Sequence, residues 1–166
     1  MSTPVIVEQS RAIPITPQRA FDLTLPIPLT TIFSRRYGLL PPIKQVRGQD
    51  GVWGRAGQSR TVVTTDGGTM RELLTEVDAP DSFSYRLSNI TGPMRPLVEC
   101  IDGSWEFAPR GTGTMITWRW VLHPKGLGVP VMPLVTSMWR GYARQALELL
   151  SDQLLTPDST ERAPGD

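Results

Sequence analysis

One amphipathic segment near the C-terminus constrains the fold of this chain more than any other feature. Apolar residues recur there at spacings of three and four, namely Val135, Met138, Tyr142, Ala146, Leu149 and Leu150. Polar residues take the opposite side, namely Thr136, Arg140, Arg144, Glu148 and Asp152. This period predicts a helix of about 20 residues that buries one face. The rest of the chain therefore has to provide a surface that receives this face.

Strand-like segments separated by short turns fill most of the chain before that helix. Asp66-Gly67 is a strong hairpin signal, and short turns of this kind join antiparallel strands. Thr16 and Pro17 suit the cap and first position of a helix, so we predict two short helices within residues 16–38. A bulge is expected at Gly103. The predicted strands are residues 5–13, 43–48, 59–65, 69–77, 82–90, 97–107 and 114–122.

This order of elements predicts an α+β fold of the helix-grip type. A curved antiparallel sheet of about seven strands would surround the long C-terminal helix, with two short helices after the first strand. We assign residues 1–155 to this domain and residues 156–166, which hold almost no apolar side chain, to a disordered tail. One helix cannot cover such a sheet completely, so we expect a cavity between them.

Composition argues against several classes of function. Seventeen basic and sixteen acidic residues lie scattered along the chain, which disfavours a nucleic-acid partner. One cysteine, Cys100, and one histidine, His123, provide neither a disulfide nor the usual ligands of a metal site, and we expect no cofactor. His123 is interpreted as a rim residue. No apolar run approaches 18 residues and no signal peptide is seen, so we expect a cytoplasmic protein without stable membrane insertion.

Three short motifs resemble those of a known superfamily. They are Thr16-Pro17-Gln18-Arg19-Ala20-Phe21-Asp22, the stretch from Arg71 to Pro80, and the hairpin sequence Ser104-Trp105-Glu106-Phe107-Ala108-Pro109 followed by residues 113–118. Over residues 5–155 the chain resembles the START-like, Bet v 1-like superfamily (SRPBCC), also called the polyketide cyclase/dehydrase and lipid transport group. The resemblance implies a helix-grip fold with a hydrophobic cavity. It does not imply one particular reaction, because members of such a fold differ in activity.

Ten side chains are predicted to contact a ligand. Strand alternation turns the aromatic residues of three strands towards the helix, and the helix turns its own apolar face towards the sheet. For each residue alone, core packing is the simpler interpretation. The set is Phe33 and Tyr37 at the mouth, Glu72, Tyr85, Trp105, Trp118 and Trp120 on strands, and Val135, Met138 and Tyr142 on the helix.

The sequence does not determine whether the Glu72 side chain lies on the inner or the outer face of the sheet. One face of its strand holds Met70, Glu72, Leu74 and Glu76, and the other holds Arg71, Leu73, Thr75 and Val77, so neither face is purely apolar. Arg71, Glu99 and Glu106 are further polar candidates. A carboxylate that pointed inward would lose solvation and become a candidate acid or base.

Three hypotheses of function follow. The leading one is binding or transport of a hydrophobic small molecule, lipid or polyketide-like, in an internal cavity, without an assigned catalytic residue. The second is an enzyme of the aromatase/cyclase type that uses an inward carboxylate and a tyrosine, such as Glu72 and Tyr85. The third is a regulatory module that acts on another protein. The state of assembly is expected to be a monomer or a homodimer.

Overall fold

The computed structural model describes residues 3–156. Seven antiparallel strands form one sheet in the order β1-β7-β6-β5-β4-β3-β2. The strands are β1 (Val5–Ile13), β2 (Ile43–Arg47), β3 (Ser59–Thr64), β4 (Thr69–Asp78), β5 (Ser82–Ser88), β6 (Val98–Arg110) and β7 (Gly113–Pro124). The helices are α1 (Pro17–Thr24), α2 (Leu29–Ile32) and α3 (Met132–Leu155), with a 3-10 helix over Gly126–Val131. The predicted helix-grip fold is confirmed. The predicted tail lies, apart from Thr156, outside the described residues.

Both short helices lie within residues 16–38, as the sequence predicts, and α1 begins at Pro17. The Thr16 hydroxyl accepts a hydrogen bond from the Arg19 amide at 3.3 Å and so caps α1. Helix α2 ends at Ile32, and the amide of Ile43 then donates to the carbonyl of Phe33 where the chain enters β2. Gly38 then takes a φ of +57°, which suits glycine, in a tight turn outside the helix.

Helix α3 packs most extensively against β1 and α2. Its buried face is wider than the predicted stripe and includes Thr136 and Trp139. The prediction that Thr136 faces solvent is wrong, since its hydroxyl donates to the Pro133 carbonyl at 3.1 Å and needs no water. Trp139 is fully buried, and its indole nitrogen has no hydrogen-bond partner among the described residues.

Irregular pairing within the sheet decides which side chains face inward. The register of β4 against β5 shifts between Leu74 and Glu76. Glu72 and Leu74 are therefore buried before the shift, whereas Glu76 is exposed after it. The bulge expected at Gly103 is wrong, because the irregularity in β6 lies between Val98 and Cys100. In the described part of the chain, no helix is both long and apolar enough to cross a membrane.

Candidate functional site

A cavity of about 120 Å³ lies against the inner face of the sheet. Its walls come from strands β3 to β7 and from the segment that runs through α1 and α2 to Ile43. Helix α3 contributes one lining residue, Tyr142. The cavity therefore lies beside α3 and under α2. The sequence interpretation expected it between α3 and the sheet.

The space directly between α3 and the sheet is filled with aromatic side chains. The rings of Trp118 and Trp139 lie 4.9 Å apart, and both side chains are almost inaccessible to solvent. Trp118 also stacks on Trp105 at 5.3 Å and contacts Phe33 at 5.0 Å. This packed group fixes one wall of the cavity.

Seven of the ten predicted ligand-contacting residues line the cavity together. They come from four strands, from the chain after α2 and from α3, although they are far apart in sequence. They are Phe33, Glu72, Tyr85, Trp105, Trp118, Trp120 and Tyr142. Contact of any of them with a ligand stays a prediction.

The other three predicted residues lie outside the lining. The ring of Tyr37 covers Gly141 of α3, which has no side chain in that space. Val135 is buried in the hydrophobic core. The sulfur of Met138 accepts a hydrogen bond from the Leu39 amide at 3.4 Å. Tyr37 and Met138 hold α3 to the segment after α2. Contact of any of the three with a ligand stays a prediction that the lining of the cavity does not support.

Tyr85 is the most extensively hydrogen-bonded tyrosine of the cavity. The indole nitrogens of Trp118 and Trp120 donate to its hydroxyl oxygen at 2.7 Å and 3.0 Å. Gly103 is its partner on β6, and the absence of a side chain there lets the ring cross β6 towards β7. Burial and the nearby Glu72 carboxylate raise the pKa of Tyr85, so the phenol stays neutral.

A buried ion pair forms a polar end of the cavity. Arg60 and Glu72 are direct partners across β3 and β4, and the Arg60 guanidinium donates to both carboxylate oxygens, at 2.8 Å and 3.3 Å. Both side chains are about 95% buried. Burial raises the pKa of the Glu72 carboxyl, and the Arg60 charge opposes that rise.

The lining residues that the sequence interpretation missed include Trp53 and Arg60. Arg60 also donates to the Gln49 side chain at 2.9 Å, and its guanidinium lies 3.9 Å from the centre of the Trp53 ring. This distance suits a cation–π contact. A tryptophan within a glycine-rich connection was the available signal, because so large an apolar side chain usually finds a buried place.

Two loops frame the mouth of the cavity. Asp66, in the β3–β4 turn, and Thr91 and Pro93, after β5, are exposed and also belong to the lining. The two loops are tied together, since the Thr69 amide donates to the Thr91 hydroxyl at 2.9 Å and the Thr91 amide donates to the Thr69 carbonyl at 2.8 Å. These hydrogen bonds therefore fix the two loops relative to each other at the edge of the cavity.

His123 lies away from the cavity. It follows the buried Leu122 on β7, so it points to the outer face of the sheet, where its Nε2 lies 2.9 Å from an Asp102 oxygen. Arg86 donates two further hydrogen bonds to the same carboxylate. Within residues 3–156, no group of three acidic, histidine or cysteine side chains is placed to hold a metal ion.

Comparison with known proteins identifies the family to which this chain belongs. The model of the family described as polyketide cyclase / dehydrase and lipid transport matches residues 4–154. The chain therefore belongs to that family. No curated protein matches the sequence significantly.

Solved structures show the same fold at low sequence identity. Norcoclaurine synthase from Thalictrum flavum, in complex with dopamine and hydroxybenzaldehyde, has a TM-score of 0.71 at 15% identity and covers 95% of this chain and 90% of its own. Ginseng major latex-like protein 151 from Panax ginseng has a TM-score of 0.69 at 13% identity, over 93% of this chain and all of its own. Ara h 8.0201 has a TM-score of 0.64 at 19% identity, with the same coverage. Each is similar in architecture alone.

Proposed function

We propose that this protein binds and carries a hydrophobic small molecule, lipid or polyketide-like, in the cavity under α2. The observation that carries the proposal is the lining, which is mainly apolar and aromatic with a few buried polar groups. Ligand sites in proteins have this composition, since apolar walls provide affinity and isolated polar groups orient the ligand. Membership of a lipid-transport and polyketide-cyclase family supports the same proposal.

The size of the cavity limits what it holds. An engineered cavity of roughly 150 Å³ accepts benzene, and the cavity here measures about 120 Å³. We therefore propose that the enclosed part of the ligand is about one ring in size. A longer molecule would extend through the mouth between the β3–β4 turn and the loop after β5.

A cyclase-type reaction is the second candidate. The observation that favours it is the inward position of both Glu72 and Tyr85 in the same cavity. However, the Glu72 carboxylate is held by Arg60, and the lone pairs of the Tyr85 oxygen are occupied by two indole groups. Carriage needs no free acid or base, so it fits these contacts better.

Native mass spectrometry of freshly purified protein tests the proposal. Carriage predicts a noncovalent adduct of one small molecule, or, if the protein purifies empty, uptake of one added toluene molecule per chain. A protein that neither carries an adduct nor takes up toluene would refute the proposal.

The released molecule distinguishes the two candidate functions. Carriage leaves the mass of that molecule unchanged on incubation with the protein, whereas cyclisation with dehydration lowers the mass by one water. The same spectra test the expected monomer or homodimer, and the cytoplasmic location stays a prediction.

A further inference from the structure

The Tyr85 hydroxyl accepts two hydrogen bonds, but its own hydrogen has no acceptor among the described residues. A tyrosine hydroxyl has one hydrogen to donate and two lone pairs that accept. Trp118 and Trp120 each donate an indole hydrogen to this oxygen, at 2.7 Å and 3.0 Å, and an indole nitrogen can only donate. Both lone pairs are therefore occupied, and the hydroxyl hydrogen has to point elsewhere.

No acceptor for that hydrogen is found within residues 3–156. The Glu72 carboxylate, on the neighbouring strand, is engaged by Arg60 instead. Tyr85 is 7% exposed, so bulk water does not reach it freely. A buried donor without an acceptor is unfavourable, and such a group indicates a missing partner. Tyr85 lines the cavity, which is where that partner would lie.

The position of this donor is fixed by packing. The ring of Tyr85 lies over Gly103, and the Trp118 indole that holds its oxygen is itself stacked on Trp105. Trp120 packs edge-on against Trp118 at 5.6 Å. Because the phenol stays neutral in this buried place, its hydrogen is present at every physiological pH. A rigid group of this kind can select a ligand by its chemistry.

We propose that Tyr85 is a specificity-determining donor and that the ligand presents to it a hydrogen-bond acceptor of the carbonyl type. The ligand class is then a compact, mainly apolar ring compound with a ketone, aldehyde, ester or quinone oxygen. A ligand group that can only donate gains nothing at this position, because the Tyr85 oxygen has no lone pair left. This inference rests on the proposed function, since it requires that the cavity binds a small molecule.

Two probes of nearly equal shape test the inference. Acetophenone has a carbonyl oxygen where α-methylstyrene has a CH₂ group. Calorimetric titration gives the dissociation constant of each probe for the wild-type protein and for Tyr85→Phe. A loss of affinity for acetophenone alone then reports the hydrogen bond, whereas an equal loss for both probes reports a change in packing. We expect Tyr85→Phe to weaken acetophenone binding about fivefold to tenfold, as one hydrogen bond allows, and to leave α-methylstyrene binding nearly unchanged.

Tyr142→Phe is the matched control. Tyr142 is a second buried tyrosine of the lining, but its hydroxyl already donates to the Pro41 carbonyl at 2.9 Å. Its removal should therefore change the binding of both probes equally. A preference for acetophenone that depends on Tyr142 as much as on Tyr85 would overturn the inference.

Infrared spectroscopy reads the hydrogen bond in the wild-type protein and does not depend on the folding of a variant. The carbonyl stretch of bound acetophenone should lie at lower frequency than in an alkane solvent, and the shift should vanish in Tyr85→Phe. Binding without a shift in the wild-type protein would overturn the inference and leave the proposed function standing. If neither probe binds a wild-type protein that does take up toluene, the inference alone is overturned. If toluene also fails to bind and no adduct is carried, the proposed function is overturned, and the inference with it.

Discussion

The ring of Tyr85 occupies the space that a side chain at Gly103 would fill. The two residues are cross-strand partners on β5 and β6, and a Cβ atom at position 103 would overlap the phenol ring. Gly103 in turn pairs with Trp120 on β7, so the missing side chain opens a path across β6. This relationship brings the Tyr85 hydroxyl to two indole nitrogens.

Replacement of Gly103 by alanine should displace the Tyr85 ring. We expect Gly103→Ala to lower the free energy of unfolding by about 1–3 kcal/mol, as overpacking of a buried site does, and to weaken acetophenone binding. Urea denaturation measures the first effect. Gly126→Ala is the control, because no atom lies within 4 Å of a Cβ built there. Equal stability of the two variants would contradict the proposed contact.

Filling the cavity should remove binding without loss of stability. Val62 and Val7 are both 3% exposed, but Val62 lines the cavity whereas Val7 belongs to the packed core. We expect Val62→Phe to fold with nearly unchanged stability and to weaken toluene binding at least about tenfold. Val7→Phe should destabilise the protein by about 1–3 kcal/mol. The reverse order of stabilities would show that no space exists beside Val62.

Loss of the Glu72 charge should destabilise the protein strongly. Glu72→Gln leaves the buried Arg60 guanidinium without a counter-charge, which typically costs about 3–5 kcal/mol. Glu8→Gln removes a carboxylate that pairs with Arg119 at 2.8 Å on the outer face, where half of the Glu8 side chain is exposed. That pair should contribute less than about 1 kcal/mol. Similar effects of the two substitutions on urea denaturation would argue against a desolvated ion pair.

The Asp102 carboxyl should stabilise the folded protein only at a pH at which it is ionised. The hydrogen bonds from Arg86, and next that from His123, lower the pKa of Asp102, although partial burial opposes this. A lowered pKa in the folded state means that the stabilisation is complete above the unfolded value of about 3.9 and is lost as the pH falls through the folded value. The effect should be small, since Arg86 is about half exposed.

Unfolding in urea between pH 6 and pH 2 measures this contribution. The stability of Asp102→Asn should fall less steeply below about pH 4 than that of the wild-type protein. Asp81→Asn, at an exposed aspartate in the β4–β5 turn, should follow the wild-type curve. Parallel curves for all three proteins would exclude a stabilising role for the Asp102 carboxylate.

Regular alternation predicted the inward residues of the central strands. On β5 the residues Phe83, Tyr85 and Leu87 are buried as their period of two requires, and on β7 Ile116 and Trp118 are buried likewise. The bulge after Leu74 interrupts β4, so neither face of that strand reads as apolar throughout. Its register depends on pairing with β5, which local sequence does not determine.

Contacts between distant residues could not be predicted. The Arg60–Glu72 pair needs the alignment of β3 with β4, and the contact of Trp53 with Arg60 needs the β2–β3 connection to fold back over β3. Helix α3 was predicted from its apolar period. Its position over β1 and α2 depends on the packing of Trp139 against Trp118, which lies on a distant strand. The cavity was therefore predicted on the correct face of the sheet and too close to the long helix.

A crystal structure of the protein soaked with iodobenzene tests the central claim most directly. The iodine atom gives an anomalous signal that locates one ring without prior assumptions. We expect a single strong peak between β3–β7 and α2, within contact distance of Tyr85, Trp105 and Val62. Iodine found only at the surface, with those side chains in mutual contact, would show that the protein encloses no binding cavity.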